Sequence, residues 1–332
     1  MKLWEKHADD ERLRCLLCPH SCLISPDNAG ICGVRENRDG EVVPVTYGTI
    51  SGISLDPIEK KPLYHYFPGS SVLSVGSFGC NLRCDFCQNY HISQQINTDG
   101  SRRLPPEELV RQALRASGNC GLAYTYNEPV IWFEYVTDCA RLAAAEGLRN
   151  VMVTNGYVNR EPLEELIKVT DAFNIDLKAF SNDFYRRYTG ATLAPVLETI
   201  KTVASSGTHL EITTLIIPGL NDSEKEMRHE AEWIAENAGR KVPLHLSRYF
   251  PMYRRDNPST PAETIMKMKE IASEYLDFVY TGNMASHDTG SDTLCPSCHS
   301  VVVRRSGYSV KLTGLSDDGR CTVCDEQIMN WV

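Results

Sequence analysis

Gly79-Cys80-Asn81-Leu82-Arg83-Cys84-Asp85-Phe86-Cys87 sets three cysteines in a C-x3-C-x2-C spacing, directly after the strand-like run Val72-Leu73-Ser74-Val75-Gly76-Ser77. Three thiolates can ligate three irons of a cubane and leave the fourth iron open. An electron carrier normally closes its cluster with a fourth cysteine, so an open iron points to substrate chemistry. The competing reading is a structural zinc site short of one ligand, and structural zinc is usually closed by four protein ligands. The place of the triplet also fits catalysis, because the loops that follow barrel strands form the active-site face of such folds.

Outward from this stretch, short β-branched runs alternate with helical ones. The pattern predicts strands at 72–77, 122–126, 150–154, 172–177, 210–217, 242–248 and 277–280, and helices at 106–117, 131–145, 161–169, 195–205 and 224–237. Such alternation means a parallel sheet, and no G-x-G-x-x-G turn follows the first strand. The expected fold is α/β: a partial (β/α)6 barrel of the TIM type, flanked by two small modules.

Cysteine usage defines those modules. Of 13 cysteines, 11 fall into three groups, and Cys120 and Cys139 stand alone as candidate buried thiols. The first group is Cys15, Cys18, Cys22 and Cys32, followed by a hairpin signal at Asp39-Gly40. This lobe has few large apolar residues, so metal is expected to hold it together. Zinc is the simpler reading for its four thiolates, and a second iron–sulfur cluster uses the same ligands. The last group, Cys295, Cys298, Cys321 and Cys324, forms two C-x2-C knuckles around two strand-like runs that turn at Ser306-Gly307, the layout of a zinc ribbon. The expected division is a Cys-rich lobe over 1–60, the barrel over 61–284 and the zinc-ribbon-like module over 285–332.

Composition narrows the setting. A net charge of −9 argues against general affinity for nucleic-acid backbone. The start carries no apolar run after its charges, and no stretch approaches the ~20 apolar residues that span a bilayer. Unpaired cysteines in this number suit a reducing compartment, so a cytoplasmic enzyme is expected.

The triplet, with an aromatic residue before its third cysteine, resembles the radical S-adenosylmethionine (SAM) superfamily. The whole chain resembles its branch around the pyruvate formate-lyase-activating enzyme, and more closely the radical enzyme of the AmmeMemoRadiSam system. The resemblance implies a site-differentiated [4Fe–4S] cluster on Cys80, Cys84 and Cys87, with S-adenosylmethionine chelated to the free iron. It implies reductive cleavage to a 5′-deoxyadenosyl radical that abstracts hydrogen from a small-molecule or peptide substrate. It also implies a reductant such as flavodoxin or ferredoxin, and AmmeMemoRadiSam partner proteins.

Further residues match the family position by position. Glu128-Pro129 occupies the place of a Gly-Gly-Glu-Pro element that contacts the methionine amino group; the two glycines are absent, but Glu128 offers an acceptor for an ammonium. Thr154 and Asn155 end the third predicted strand. Asp176 and Lys178 end the fourth, where residues two apart share a face, and the matching Asp-x-Lys element lies beside the methionine carboxylate. Pro218-Gly219, Arg248-Tyr249, His245 and His287 are weaker candidates for ligand contact. Two other functions stay in view: a glycyl-radical-enzyme activase, and a non-catalytic redox or zinc-ribbon binding module.

Overall fold

A computed structural model describes residues 2–7, 10–284 and 290–332. Seven strands, β1 (Ser71–Gly76), β2 (Asn119–Tyr124), β3 (Arg149–Thr154), β4 (Ala172–Asp176), β5 (His209–Ile216), β6 (Leu244–Arg248) and β7 (Val279–Gly282), pair in chain order as one parallel sheet. These strands are largely buried on both faces because helices cover one side and the barrel interior the other. Val75, Leu122, Met152, Phe173, Ile175, Ile212 and Leu246 are all buried. Each large aliphatic side chain removed from water contributes roughly 1.5–3 kcal/mol.

Six helices cross between successive strands: α1 (Pro106–Arg115), α2 (Phe133–Ala145), α3 (Arg160–Ile167), α4 (Leu193–Ser206), α5 (Glu224–Asn237) and α6 (Ala262–Ala272). In α1, Pro106 opens the first turn, Glu107 and Glu108 face the positive end of the helix dipole, and Leu109, Val110 and Ala113 turn inward. α6 lies outside the helices expected from sequence, although Ile265, Met268, Ile271 and Ala272 give it a buried stripe behind Pro261.

A second difference concerns the sheet edge. Gly52–Pro57 pairs antiparallel with β1 and forms one edge of the eight-stranded sheet. β7 forms the other edge, so the barrel does not close. The sequence of this edge strand, GISLDP, carries a Gly, a Pro and an Asp, which mask its strand character.

The N-terminal lobe holds a three-stranded antiparallel sheet (Trp4–Lys6, Leu13–Cys15, Leu23–Ile24) and a hairpin, Arg35–Arg38 with Glu41–Pro44, around Asp39-Gly40. Both turn residues have positive φ, +52° and +76°, as a tight hairpin turn requires. Burial does more here than its composition implies: Leu3, Leu13, Leu17, Ile24 and Val34 join the same apolar core as the barrel. Arg35, buried, clamps the lobe to α2 through two 2.8 Å hydrogen bonds to Glu134. At the other end, Thr293–Leu294, Val301–Ser306 and Ser309–Leu312 form a small antiparallel sheet. It docks through Arg305, which donates to the Tyr64 carbonyl at 2.7 Å. Cys139 is fully buried, whereas Cys120 is only half-buried and accepts from Ser70, a correction to its expected burial.

Candidate active site

The cysteine loop is built on Gly79. Its φ of +84° is a left-handed conformation, and a Cβ there would lie 2.6 Å from the Cys32 carbonyl oxygen and 2.8 Å from Val34 Cγ1. Only glycine turns the chain out of β1 at this spot. Asn127, beyond β2, braces the turn: its amide donates to the Phe78 and Gly79 carbonyls at 3.2 and 3.1 Å and accepts from Ser77 N at 2.9 Å. On the far side, the N–H groups of Arg83 and Asp85 donate to Thr189 and Tyr188 carbonyls.

Cys80, Cys84 and Cys87 all line one cavity of about 590 Å³, walled mainly by the carboxyl ends of the barrel strands. Among the described residues no other cysteine lines it. Leu82 N donates to Cys80 Sγ at 3.3 Å, and the Asn155 amide reaches the same sulfur at 3.6 Å. Burial pushes the Cys84 thiol up to about 12, while Lys178 pulls the other way. Metal binding at such thiols must displace protons. Three thiols beside open volume, with no fourth cysteine on the walls, fit a cubane that keeps one iron free for a ligand.

Glu128, Asn155, Asp176 and Lys178 line the same cavity. Glu128 is buried and works as a hub, accepting from Thr154 Oγ1 at 2.6 Å, Asn155 N at 2.8 Å and Val130 N at 3.0 Å. Burial raises its pKa to about 7, against the pull of those three donors. The bond to Val130 caps the turn Pro129–Trp132, so Glu128 is both a helix-start residue and a cavity residue. Thr154 is not on the wall; it stands behind, its hydroxyl committed to Glu128. Lys178 Nζ and Asp176 Oδ2 pair at 2.8 Å. Burial works against the Lys178 ammonium, but Asp176 and Cys84 outweigh it and hold its pKa above the usual lysine range.

Of the weaker candidates, His245 lines the cavity floor, whereas Pro218, Gly219, Arg248 and Tyr249 do not line the cavity. Arg248 is drawn aside to the Thr260 carbonyl at 2.5 Å. His287 lies outside the described residues.

Sequence reasoning missed Glu211. Fully buried on β5, it accepts from His65 N at 2.7 Å and Tyr64 N at 3.0 Å, and pairs with His245 at 2.6 Å and His209 at 2.9 Å. A lone glutamate between Leu210 and Ile212 in a buried strand was the available signal, since a buried charge needs partners. Ser247, Asn283 and Tyr126 also face the cavity, as does Tyr308 from the C-terminal sheet.

The two other cysteine groups lie outside this cavity. Cys295, Cys298, Cys321 and Cys324 bring all four sulfurs within 4.8 Å of one another. Cys15, Cys18, Cys22 and Cys32 line a second, much smaller cavity together with His20, Asn81 and Ile131.

Comparison with known proteins agrees with this layout. The radical SAM superfamily matches residues 74–231. Over 331 residues the chain is 41% identical to an uncharacterised protein of Methanocaldococcus jannaschii, covering 98% of each. It is 30% identical over 173 residues to the pyruvate formate-lyase-activating enzyme of Clostridium pasteurianum, spanning 50% of this chain and 71% of that one. A solved radical SAM methyltransferase from Sphaerobacter thermophilus superposes with a TM-score of 0.51 at 17% identity, over 65% of this chain and 67% of that one, a likeness of fold alone.

Proposed function

The chain belongs to the radical SAM superfamily and is a radical SAM enzyme related to activating enzymes, and from that premise we propose that it cleaves S-adenosylmethionine at a [4Fe–4S] cluster held by Cys80, Cys84 and Cys87. The observation that carries this reading is the shared cavity, where three cysteines with no fourth face Glu128, Asn155, Asp176 and Lys178. When bound, the cluster and S-adenosylmethionine supply a one-electron reduction of the sulfonium and a 5′-deoxyadenosyl radical that takes hydrogen from a small-molecule or peptide substrate.

The chain's own residues hold and orient. Glu128 keeps one lone pair beyond its three donors, on Oε2, and offers it to the methionine ammonium. Lys178, fixed by Asp176, offers a cation to the methionine carboxylate. Thr154 and Asn155 keep the Glu128 carboxylate in place. Leu82 and Phe86, both buried, give the cysteines an apolar border on the cavity wall.

A second reading, activation of a glycyl-radical enzyme, draws on the pyruvate formate-lyase-activating relative. It requires a large partner protein as substrate. In either case a flavodoxin- or ferredoxin-type donor supplies the electron, and AmmeMemoRadiSam partners are proposed from resemblance. The division into lobe, barrel and C-terminal module, with Cys295, Cys298, Cys321 and Cys324 holding zinc in a ribbon-like fold, is part of the same reading. So is a cytoplasmic setting; no helix among the described residues is long and apolar enough to cross a membrane.

The test is anaerobic. Protein reconstituted with iron and sulfide receives S-adenosylmethionine and dithionite, and 5′-deoxyadenosine is quantified beside Cys84→Ala. Product from the native chain alone is expected. No product from a chain whose cluster is verified by spectroscopy, with candidate partners supplied, rejects the reading.

A further inference from the structure

We infer that the outer face of the cysteine loop is the landing surface for a small acidic electron-transfer protein, steered there by Arg186, Arg187 and Arg254. The inference rests on the cluster reading above and names the partner of that same site.

Three segments meet at this face. The N–H groups of Arg83 and Asp85 donate to the carbonyls of Thr189 at 2.7 Å and Tyr188 at 3.2 Å, which binds the turn Tyr185–Thr189 to the cysteine loop. Arg254 N donates to the Asp85 carbonyl at 2.9 Å, and Arg255 pairs with the Asp85 carboxylate at 2.7 Å, which brings in the loop after β6. Arg255 also lies over the Tyr188 ring, 4.4 Å from its centroid, so the second and third segments touch.

Charge sets this face apart from the rest of the molecule. Residues 80–95, 181–190 and 248–257 hold six arginines and three aspartates, a net charge of +3 in a chain of net charge −9. One of those aspartates, Asp85, is already committed to Arg255. Arg83, Arg186, Arg187 and Arg254 are exposed, against Asp183 and Asp256 as the exposed acids of the three segments. The loop after β6 also exposes Phe250 and Met252, and its Tyr253 stacks on Tyr90, centroids 4.7 Å apart, just past the cysteine loop. Exposed aromatic and apolar side chains among arginines are the make-up of a protein-docking patch.

The position suits electron entry. Arg83 and Asp85 flank Cys84 in the chain, so one layer of backbone separates this face from a cluster ligand. Neither Arg83, Arg186, Arg187 nor Arg254 lines the cavity, so a protein seated here approaches the cysteines from outside it. Reduction of the sulfonium needs an electron from outside the site; the docked carrier is oxidised by one electron and the cluster reduced by one, with no bond made or broken. A long polyanion would meet the acid excess of the remaining surface, whereas a compact acidic carrier meets only this face. Such encounters are small and transient, and a few steering charges raise their rate.

The experiment uses the full chain with its cluster reconstituted, and follows cluster reduction by anaerobic stopped-flow absorbance without S-adenosylmethionine. The probes are a fully reduced flavodoxin and photoreduced 5-deazaflavin, a small uncharged reductant. The rate of native protein with flavodoxin should fall about tenfold or more as NaCl rises from about 0.05 M to about 0.5 M. Arg186→Glu/Arg187→Glu/Arg254→Glu should be about tenfold slower or more at low salt with its deazaflavin reduction unchanged, and Arg186→Lys/Arg187→Lys/Arg254→Lys should stay within about threefold of native. Arg111→Glu/Arg115→Glu, exposed on α1 ahead of β2 and so at the opposite end of the barrel, should also stay within about threefold. Equal flavodoxin rates in native and charge-reversed protein, or an equal slowing by the α1 pair, overturn the inference. So does a native rate indifferent to salt, a measurement that needs no variant, and so does failure of flavodoxin to reduce a cluster that deazaflavin reduces. Because the readout is cluster reduction, a chain reduced here that makes no 5′-deoxyadenosine counts against the cleavage reading and not against this surface.

Discussion

Glu128 accepts the backbone N–H of Asn155 at 2.8 Å, and Asn155 in turn donates to the Asn81 side chain at 2.8 Å. One buried carboxylate thus joins the loop after β2, the end of β3 and the cysteine loop. Glu128→Gln turns an amide N–H₂ toward donors and removes the charge offered to an ammonium. S-adenosylmethionine affinity of cluster-loaded protein should fall ten- to a hundredfold, from loss of about 1.5–3 kcal/mol of charge-assisted bonding. Equilibrium binding measures it, and unchanged affinity would mean that the ligand does not lean on this carboxylate.

Breaking the Asp176–Lys178 pair should cost more than removing it. Lys178→Met leaves Asp176 charged and unpaired beside the cavity. The expected loss is about 1–2 kcal/mol, below that of a fully buried pair because Asp176 keeps 32% of its side chain exposed. Asp176→Asn/Lys178→Met should recover part of it. The denaturant midpoints of metal-free protein decide, and a double variant no more stable than the single one would show the two residues uncoupled.

Gly79→Ala is expected to spoil the cluster loop. The left-handed φ alone costs roughly 1–2 kcal/mol, and the added Cβ must push back the Cys32 carbonyl and Val34. Iron per chain after reconstitution should fall by half or more. Native iron content in this variant would mean that the loop yields at little cost.

Glu230, buried on α5 against Thr214, has its carboxyl raised by burial from an ordinary 4.5 to about 8. The folded chain therefore keeps a proton through a window in which the unfolded chain has lost it. Its contribution is whole below about 4.5 and is lost as pH rises through 8, at about 1.4 kcal/mol per pH unit between. The melting temperature of native protein should fall between about pH 6 and about pH 8.5 more steeply than that of Glu230→Gln. Parallel slopes would place the titration elsewhere.

Local pattern made the barrel readable. Buried parallel strands are rich in apolar residues, and crossover helices carry a stripe, so the strands from 72–77 to 277–280 are legible in the local pattern. The Cys80, Cys84 and Cys87 spacing was visible for the same reason, since a cluster loop is short and its ligands are close in the chain. The strand Gly52–Pro57 was not visible, because Gly, Asp and Pro hide an edge strand, and α6 lay behind a Pro-rich loop.

What the sequence determined by itself was the order of strand and helix and the three cysteine groups, because both depend on residues near one another in the chain. Tertiary structure alone decided which distant side chains meet. It set Glu211 beneath the cavity with His209 and His245, brought Tyr308 to the cavity wall, and drew Arg248 away to Thr260. It also gathered the sulfurs of two cysteine pairs far apart in the chain, Cys295 and Cys298 with Cys321 and Cys324, within 4.8 Å of one another.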